Sequence, residues 1–223
     1  MKIIVTGSSN GMGKEICRKF LDQGHNVVGL DIQDSDISMP NYTHVCCDVS
    51  DKNSLPDVQD VNILVNNAGI QRELDEYSGE QISVNLKGVM NCTEKYALNN
   101  SNLVSVLNQA SVSAHTGAEF PEYCASKGGV LTYTKWTANQ VAKFGATCNS
   151  ISCGGVLTDL NRPIIDDEDC WNAIMELTPL RKWCSPEEIA DWVYFLTVTN
   201  KSCTGQDIII DNGETVKTNF IWK

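Results

Sequence analysis

Short apolar runs alternate along this chain with longer stretches in which apolar positions return every three or four residues. The runs KIIVTG (2–7), NVVGLD (26–31), YTHVCC (42–47), VNILVNN (61–67), NLVSVLNQ (102–109), ATCNSIS (146–152) and QDIIIDN (206–212) read as buried strands. Residues 13–24, 80–100, 123–144 and 186–199 carry helical spacing between them. Such alternation predicts parallel strands, right-handed crossovers and a sheet covered by helices on both faces, the doubly wound α/β class. No linker, repeat or low-complexity segment breaks the pattern, so residues 1–223 read as a single domain.

Two connections stand out. About a dozen residues separate CDV (47–49) from VNILV (61–65), barely enough for a crossover, which predicts a short helix or a plain loop. Residues 153–205 form an excursion of more than fifty residues, holding Pro163, the acidic cluster Asp166–Asp169, Trp171 and Trp183. Long excursions often wall binding sites; a helix pair capping the sheet is the plainer alternative.

Composition narrows the partners. Apolar residues make up 42% and charged residues 20%, and the net charge is -11. That balance argues against nucleic acid and anionic membrane surfaces as partners. The start MKIIVTG reads as lacking a secretory leader, and no run has the length of a membrane span. Ten cysteines are scattered without a CxxC pair; Cys46 adjoins Cys47, and Cys148 and Cys153 are five apart. Neither spacing suits zinc, so no metal site is expected, and reduced thiols in a cytoplasmic protein are.

Chemistry enters at the end of the first strand. TGSSNGMG places Gly7, Gly11 and Gly13 between a strand and an amphipathic helix, where a tight turn brings backbone N–H groups to phosphates. Asp31 ends the second strand eighteen residues after Gly13. A carboxylate there can accept from both ribose hydroxyls of an adenosine and repels a 2′-phosphate. With no Arg or Lys at 8–10 or 32–36, NAD is favoured over NADP. Tyr123 stands four residues ahead of Lys127 in EYCASKGG, so the two are neighbours on a helix.

Over essentially its whole length the chain resembles the short-chain dehydrogenase/reductase family. The matches are TGSSNGMG (6–13), Asp31, CDV (47–49), NNAG (66–69), SVNLKG (83–88), Ser111, YCASK (123–127), SISCGGVLTDL (150–160), SPEEIA (185–190) and TGQDIIIDNG (204–213). The resemblance implies a seven-stranded Rossmann sheet of order 3-2-1-4-5-6-7. It implies Tyr123 as general acid/base, Lys127 as its activator and holder of the nicotinamide ribose, Ser111 on the substrate oxygen, and Asn85 supporting a water that leads to Lys127. Ser113 competes with Ser111, which better fits an NxxS pattern counted from Asn108. The family's dinucleotide contacts fall here on Ser9, Asn10, Met12, Gly154 and Val156, with Asp48 and Val49 beside the adenine. Asn67, Ala68 and Gly69 end the fourth strand next to the adenine ribose. Thr158 matches a threonine that bonds the nicotinamide carboxamide, and would equally suit a helix N-cap.

Physics supports the assignment of Tyr123. A phenol titrates near about 10, too high for a base at neutral pH. An ammonium about 4 Å away lowers it by about two to three units at an effective dielectric of 20. Gly128 and Gly129 read as permitting close helix packing near the cofactor.

The chain departs from the family in places. Cys153-Gly154 stands where Pro-Gly is common, and Cys153 reads either as a reactive thiol or as a small packed residue. Asn212 replaces a glycine and tolerates positive φ. The interval from Ser111 to Tyr123 is one residue short, absorbed in AHTGAEFPE, where His115 faces either substrate or solvent. The expected function is NAD(H)-dependent interconversion of a secondary alcohol and a ketone. The alternatives are an NADPH-dependent 3-oxoacyl carrier-protein reductase, which often carries a basic residue where this chain has Asn10, and a non-catalytic NAD sensor. Pairing of helices 80–100 and 123–144 into a homodimer or homotetramer is implied by the resemblance alone.

Overall fold

The computed structural model describes residues 1–73 and 77–216. The elements follow in order as β1 (Lys2–Thr6), α1 (Gly11–Asp22), β2 (Asn26–Asp31), β3 (Tyr42–Cys46), β4 (Ile63–Asn66), α2 (Glu80–Ile82), α3 (Gly88–Tyr96), β5 (Ser105–Gln109), α4 (Ser113–Thr116), α5 (Pro121–Val141), β6 (Thr147–Cys153), α6 (Arg162–Ile165), α7 (Glu168–Leu177), α8 (Pro186–Tyr194) and β7 (Asp207–Ile210). The seven strands form one parallel sheet of order β3-β2-β1-β4-β5-β6-β7. Class and strand order are those expected.

Strand alternation explains the layers. Ile3 and Val5 of β1, Ile63 and Val65 of β4, Leu107 of β5 and Ile151 of β6 point to one face, where they meet Ile16 and Phe20 of α1 and Ile189 and Val193 of α8. Ile4, Leu64, Val106 and Cys148 point to the other face and meet Cys92 and Tyr96 of α3 and Val141 of α5. Both faces are thus covered, which is why the strands read as unbroken apolar runs rather than alternating ones.

The short β3–β4 connection is a loop. Its Leu55 and Val61 plug the second core, and side chains beyond β4 satisfy its backbone. Asn91 Nδ2 donates to the carbonyls of Val49 and Ser50, Lys95 Nζ to Leu55, the Tyr96 hydroxyl to Pro56, and Asn100 Nδ2 to Val61. Where this largely exposed loop turns its backbone toward the core, these partners satisfy its carbonyls.

The segment read as one helix over 80–100 is composite. Residues Ser83–Lys87 form a π turn between α2 and α3, with Asn85 in it. Such turns recur at functional sites. The 153–205 excursion holds α6, α7 and α8. Asp167 caps α7 by accepting from Cys170 N, and Ser185 and Glu188 form a capping box on α8. Asn212 sits at φ 56, as its place in the turn requires. Gly129 does allow close packing, since a Cβ there would lie 2.6 Å from Leu86 Cδ2, whereas Gly128 has open space around it.

Candidate active site

All seven strands run in one direction, so their carboxyl ends share an edge of the sheet, where doubly wound folds open a crevice. Two joined cavities lie there. One, of about 450 Å³, runs from Asp31, Asp48 and Val49 past the turn after β1. The other, of about 320 Å³, holds Ser111, Tyr123 and Lys127. Met12, Asn67, Gly69, Ile70, Thr158 and Leu160 line both, making one trough.

The turn at its middle is a backbone device. Gly7 and Gly11 sit at φ 65 and 49, and a Cβ on Gly13 would lie 1.9 Å from the Gly7 carbonyl oxygen. Asn67 braces this turn, its Nδ2 donating to the carbonyls of Thr6 and Gly7, while Asn67 N and Ala68 N donate to Thr6 Oγ1. No side chain caps α1 and no acidic residue stands in its first turn, so the amides opening the helix suit a diphosphate. Gly7, Asn10, Gly11 and Met12 line the trough. Ser9 is turned beneath it, with Ser9 Oγ donating to the Gln33 carbonyl, and Gly13 lies under the turn.

Asp31 is held by main chain. Oδ2 accepts from Ser9 N at 2.9 Å and Oδ1 from Gln33 N at 2.9 Å, which aims the carboxylate into the trough. Among the described residues lining that end, Arg72 is the one cation, and Glu80 pairs with it at 3.0 Å. These features together fit a dinucleotide with a free ribose.

At the other end α5 presents Tyr123 and Lys127. Lys127 is buried, its Nζ lies 5.7 Å from the centre of the Tyr123 ring, and it donates to the Gln109 carbonyl at 2.8 Å. Burial lowers the lysine to about 8. Burial likewise pushes the Tyr123 phenol up to about 12, with the neighbouring Ser111 hydroxyl pulling it down and Glu119 pushing it up. The expected depression of Tyr123 by Lys127 is therefore not what this structure has: desolvation is the largest influence on the phenol and raises it. Ser111 Oγ lies 3.0 Å from Ser113 Oγ and accepts from Ser113 N. Ser111 lines the cavity and Ser113 does not, which separates the two serines.

Asn85 is fully buried one layer behind the trough. Its amide closes a two-way clamp on Ile70, accepting from its N and donating to its O at 2.8 Å each, and donates to Ser126 Oγ. Gly154, Val156 and Thr158 line the Tyr123 cavity. Thr158 opens a short 3₁₀ turn, yet its side chain makes no cap bond, so the hydroxyl is left for the trough. Cys153 is buried, bonded by Gln109 Nε2 at 3.2 Å, and burial raises its thiol to about 12: a packed residue, not a nucleophile. His115 does not line the cavity; it is an exposed residue of α4, its Nε2 lying 2.8 Å from Asp207 Oδ2. Among the described residues no group of three His, Cys, Asp or Glu could hold a metal ion, and no helix is long and apolar enough to cross a membrane.

Among the cavity residues that the sequence reading did not assign to the site, three bear on its chemistry. Gln109 holds Lys127 by its carbonyl, and its position at a strand's carboxyl end is a usable signal. Trp183 comes from the excursion, whose expected role as a wall pointed to it, whereas Glu214 comes from beyond β7 and nothing local marks it.

Known proteins place this arrangement. A family model described as enoyl-(acyl carrier protein) reductase matches residues 7–215. The chain is 28% identical over 239 residues to a 3-oxoacyl-[acyl-carrier-protein] reductase of Thermotoga maritima, covering 94% of this chain and 96% of that one. It is 28% identical over 240 residues to an NAD-dependent glycerol dehydrogenase of Listeria innocua, covering 96% and 93%. Among solved structures, one from Agrobacterium tumefaciens described as a 2-deoxy-D-gluconate 3-dehydrogenase with bound NADP superposes with a TM-score of 0.89 at 30% identity, covering 97% and 96%. The chain belongs to the short-chain dehydrogenase/reductase family of oxidoreductases.

Proposed function

We propose that this member of the family interconverts a secondary alcohol and a ketone with NAD(H), using Tyr123 as the proton donor and acceptor at the substrate oxygen. The observation that carries the reading is the single trough that joins Asp31 to Tyr123 through an uncapped helix start and Lys127. A nicotinamide bound between them supplies hydride transfer and, when oxidised, a positive charge.

The chain's own groups divide the work. Ser111 holds the substrate oxygen and Tyr123 exchanges a proton with it. Lys127, fixed by the Gln109 carbonyl, holds a ribose hydroxyl and lends its charge to the phenol. With the phenol raised to about 12, proton loss in the alcohol-oxidising direction is the demanding step. Reduction needs only a proton-bearing phenol, which Tyr123 is at neutral pH. Asn85 acts through its clamp on Ile70, which lines both cavities. NAD is preferred because Asp31 faces the ribose end with its one neighbouring cation already paired.

The chain works as one domain with residues 153–205 walling the substrate half. Exposed Trp136, stacked on Tyr133 of α5, and exposed Met90 of α3 support pairing of those helices into a homodimer or homotetramer. The ten free cysteines agree with a reducing cytoplasm.

Absorbance of the nicotinamide during turnover tests the reading. Tyr123→Phe lowers kcat about a hundredfold or more while leaving NADH binding intact; activity within tenfold of the parent overturns it. A second reading, reduction of a 3-oxoacyl thioester with NADPH, draws on the Thermotoga relative. A measured preference for NADPH and a 3-oxoacyl thioester decides for it.

A further inference from the structure

The two glycines after Cys153 make room for two particular side chains. A Cβ on Gly155 would fall 1.9 Å from Cε2 of Trp183, so the indole fills that space. A Cβ on Gly154 would fall 2.7 Å from Glu214 Oε2. Trp183 and Glu214 thus reach the floor of the Tyr123 cavity, one from the excursion and one from beyond β7. Trp171 meets the Trp183 ring edge-on at 5.2 Å and fixes it.

From this we infer that the substrate is a neutral, polyhydroxylated molecule of about hexose size, held by Glu214, walled by Trp183 and selected against anionic analogues. The inference rests on the oxidoreductase reading above and names the substrate class of that same site.

Charge is the first argument. The cavity is lined by two carboxylates, Glu119 and Glu214, and by one ammonium, Lys127, already bonded to Gln109. An anionic substituent would meet uncompensated negative charge in a partly desolvated space. Burial raises the Glu214 carboxyl above the usual range, with Asp211 adding to the rise, although the Thr178 hydroxyl at 3.3 Å, the Trp183 indole and the Gly155 amide all draw on it. Hydroxyl donors from a substrate would restore what burial removed.

Unspent hydrogen-bonding capacity is the second. Gln109 Oε1, an acceptor, is buried in this wall without a partner, and Trp183 Nε1, a donor, makes no well-formed hydrogen bond there, having only the Glu214 carboxylate nearby. Buried polar groups are ordinarily paired. Hydroxyl groups serve both roles, whereas an acyl chain would serve neither. Gln71 and Asn161 add amides to the same lining, their nitrogens engaged by Glu119 and the Val156 carbonyl and their oxygens left as acceptors for hydroxyl groups. Volume is the third argument. The cavity of about 320 Å³ also includes Met12, Gly69 and Lys127, which a nicotinamide would share, so the space left beside Tyr123 suits a compact substrate.

Steady-state kinetics with NAD(H) and NADP(H) on three substrate sets tests this: neutral aldohexoses and hexitols, the matching hexonates, and a 3-oxoacyl N-acetylcysteamine thioester. For at least one neutral polyol, kcat/KM should exceed that of its hexonate by about a hundredfold. Glu214→Gln should raise that polyol's KM about tenfold with kcat little changed, the loss of a charge-assisted hydrogen bond. Should that variant fold poorly by circular dichroism, Glu119→Gln on the exposed rim should still narrow the discrimination against hexonate. Binding of the polyol to the enzyme–NADH complex, by calorimetry, should weaken in parallel. Preference for hexonate or thioester, or an unmoved discrimination in both variants, overturns the inference and leaves the oxidoreductase reading standing. Absence of hydride transfer on all three sets despite NADH binding removes both.

Discussion

The two halves of the trough solve the same problem, holding a polar ligand out of water, by opposite means. At the Asp31 end the work is done by main chain and by residues close in sequence: a glycine turn, an uncapped helix start, and a carboxylate pinned by the amides of Ser9 and Gln33. At the Tyr123 end it is done by side chains from remote segments, Lys127 on the Gln109 carbonyl, Trp183 over Gly155 and Glu214 beside Gly154. Backbone geometry leaves few residue choices, so the first half is rigidly specified. The second depends on side-chain burial, and its titratable groups bear the cost: Lys127 is lowered, Tyr123 and Glu214 are raised.

The largest effect expected from breaking this contrast lies in the backbone half. Gly13→Ala places a Cβ 1.9 Å from a carbonyl oxygen and 2.6 Å from Asn67 Nδ2, neither of which can yield without moving the turn. A loss of about 3 kcal/mol of stability is expected, the upper end for overpacking, with NADH affinity falling alongside. Gly128→Ala on α5 is the control, since nothing lies within 4 Å of its would-be Cβ. There the helix gains up to about 1 kcal/mol. Urea denaturation and NADH fluorescence compare them; equal tolerance at both glycines would break the contrast.

Next comes the charge buried in the other half. Lys127 titrates at about 8 in the fold against about 10.4 in an unfolded chain. Below pH 8 both states carry the proton and the burial cost is present in full. Between the two values the unfolded chain binds more protons, so stability rises with pH until the cost is gone above about 10.4. The span corresponds to roughly 3 kcal/mol, which Lys127→Met should not show. The variant's stability relative to the parent should therefore be most favourable at pH 7 and decline toward pH 11. Parallel profiles would mean that the ammonium is not desolvated.

Legibility follows the same division. The strands, the glycine turn, Asp31 and the Tyr123–Lys127 pair could be read because each is local: a periodicity, a turn needing glycine, a spacing of four; the strand order came from the family resemblance. The π turn that buries Asn85 could not, because SVNLKG has ordinary helical spacing and only its packing on Ile70 selects the wider turn. Glu214 carries no local mark in the sequence, and only the fold brings it under Gly154. The raised phenol was missed for a related reason. Spacing reveals that Lys127 adjoins Tyr123, but not how deeply both are buried, and burial decides the sign.

A smaller effect is expected at Asp31. Asp31→Asn keeps the shape and removes the charge that turns away a 2′-phosphate. The ratio of NADH to NADPH dissociation constants should shift about tenfold toward NADPH, the scale of one charged hydrogen bond. Fluorescence titration measures it. An unchanged ratio would transfer cofactor choice to another part of the trough.

The smallest effect belongs to Cys153, which borders the substrate half but takes its character from the core behind it. It is the last residue of β6, it packs with Ile151 and Val156, and its sulfur is fixed by Gln109 Nε2. A thiol raised to about 12 is ionised to about one part in 10⁵ at pH 7, too little for nucleophilic or redox work. Iodoacetamide should modify exposed Cys46 and spare Cys153 in the folded protein, as mass spectrometry of peptides would show. Cys153→Ala should change kcat/KM less than about threefold, because the Gln109 carbonyl that holds Lys127 belongs to the β5 backbone and stays in place. A larger loss would mean that the Gln109 side chain, freed from sulfur, had dragged that carbonyl with it. The substrate half would then be a linked unit in which even the strand ends answer to side-chain packing.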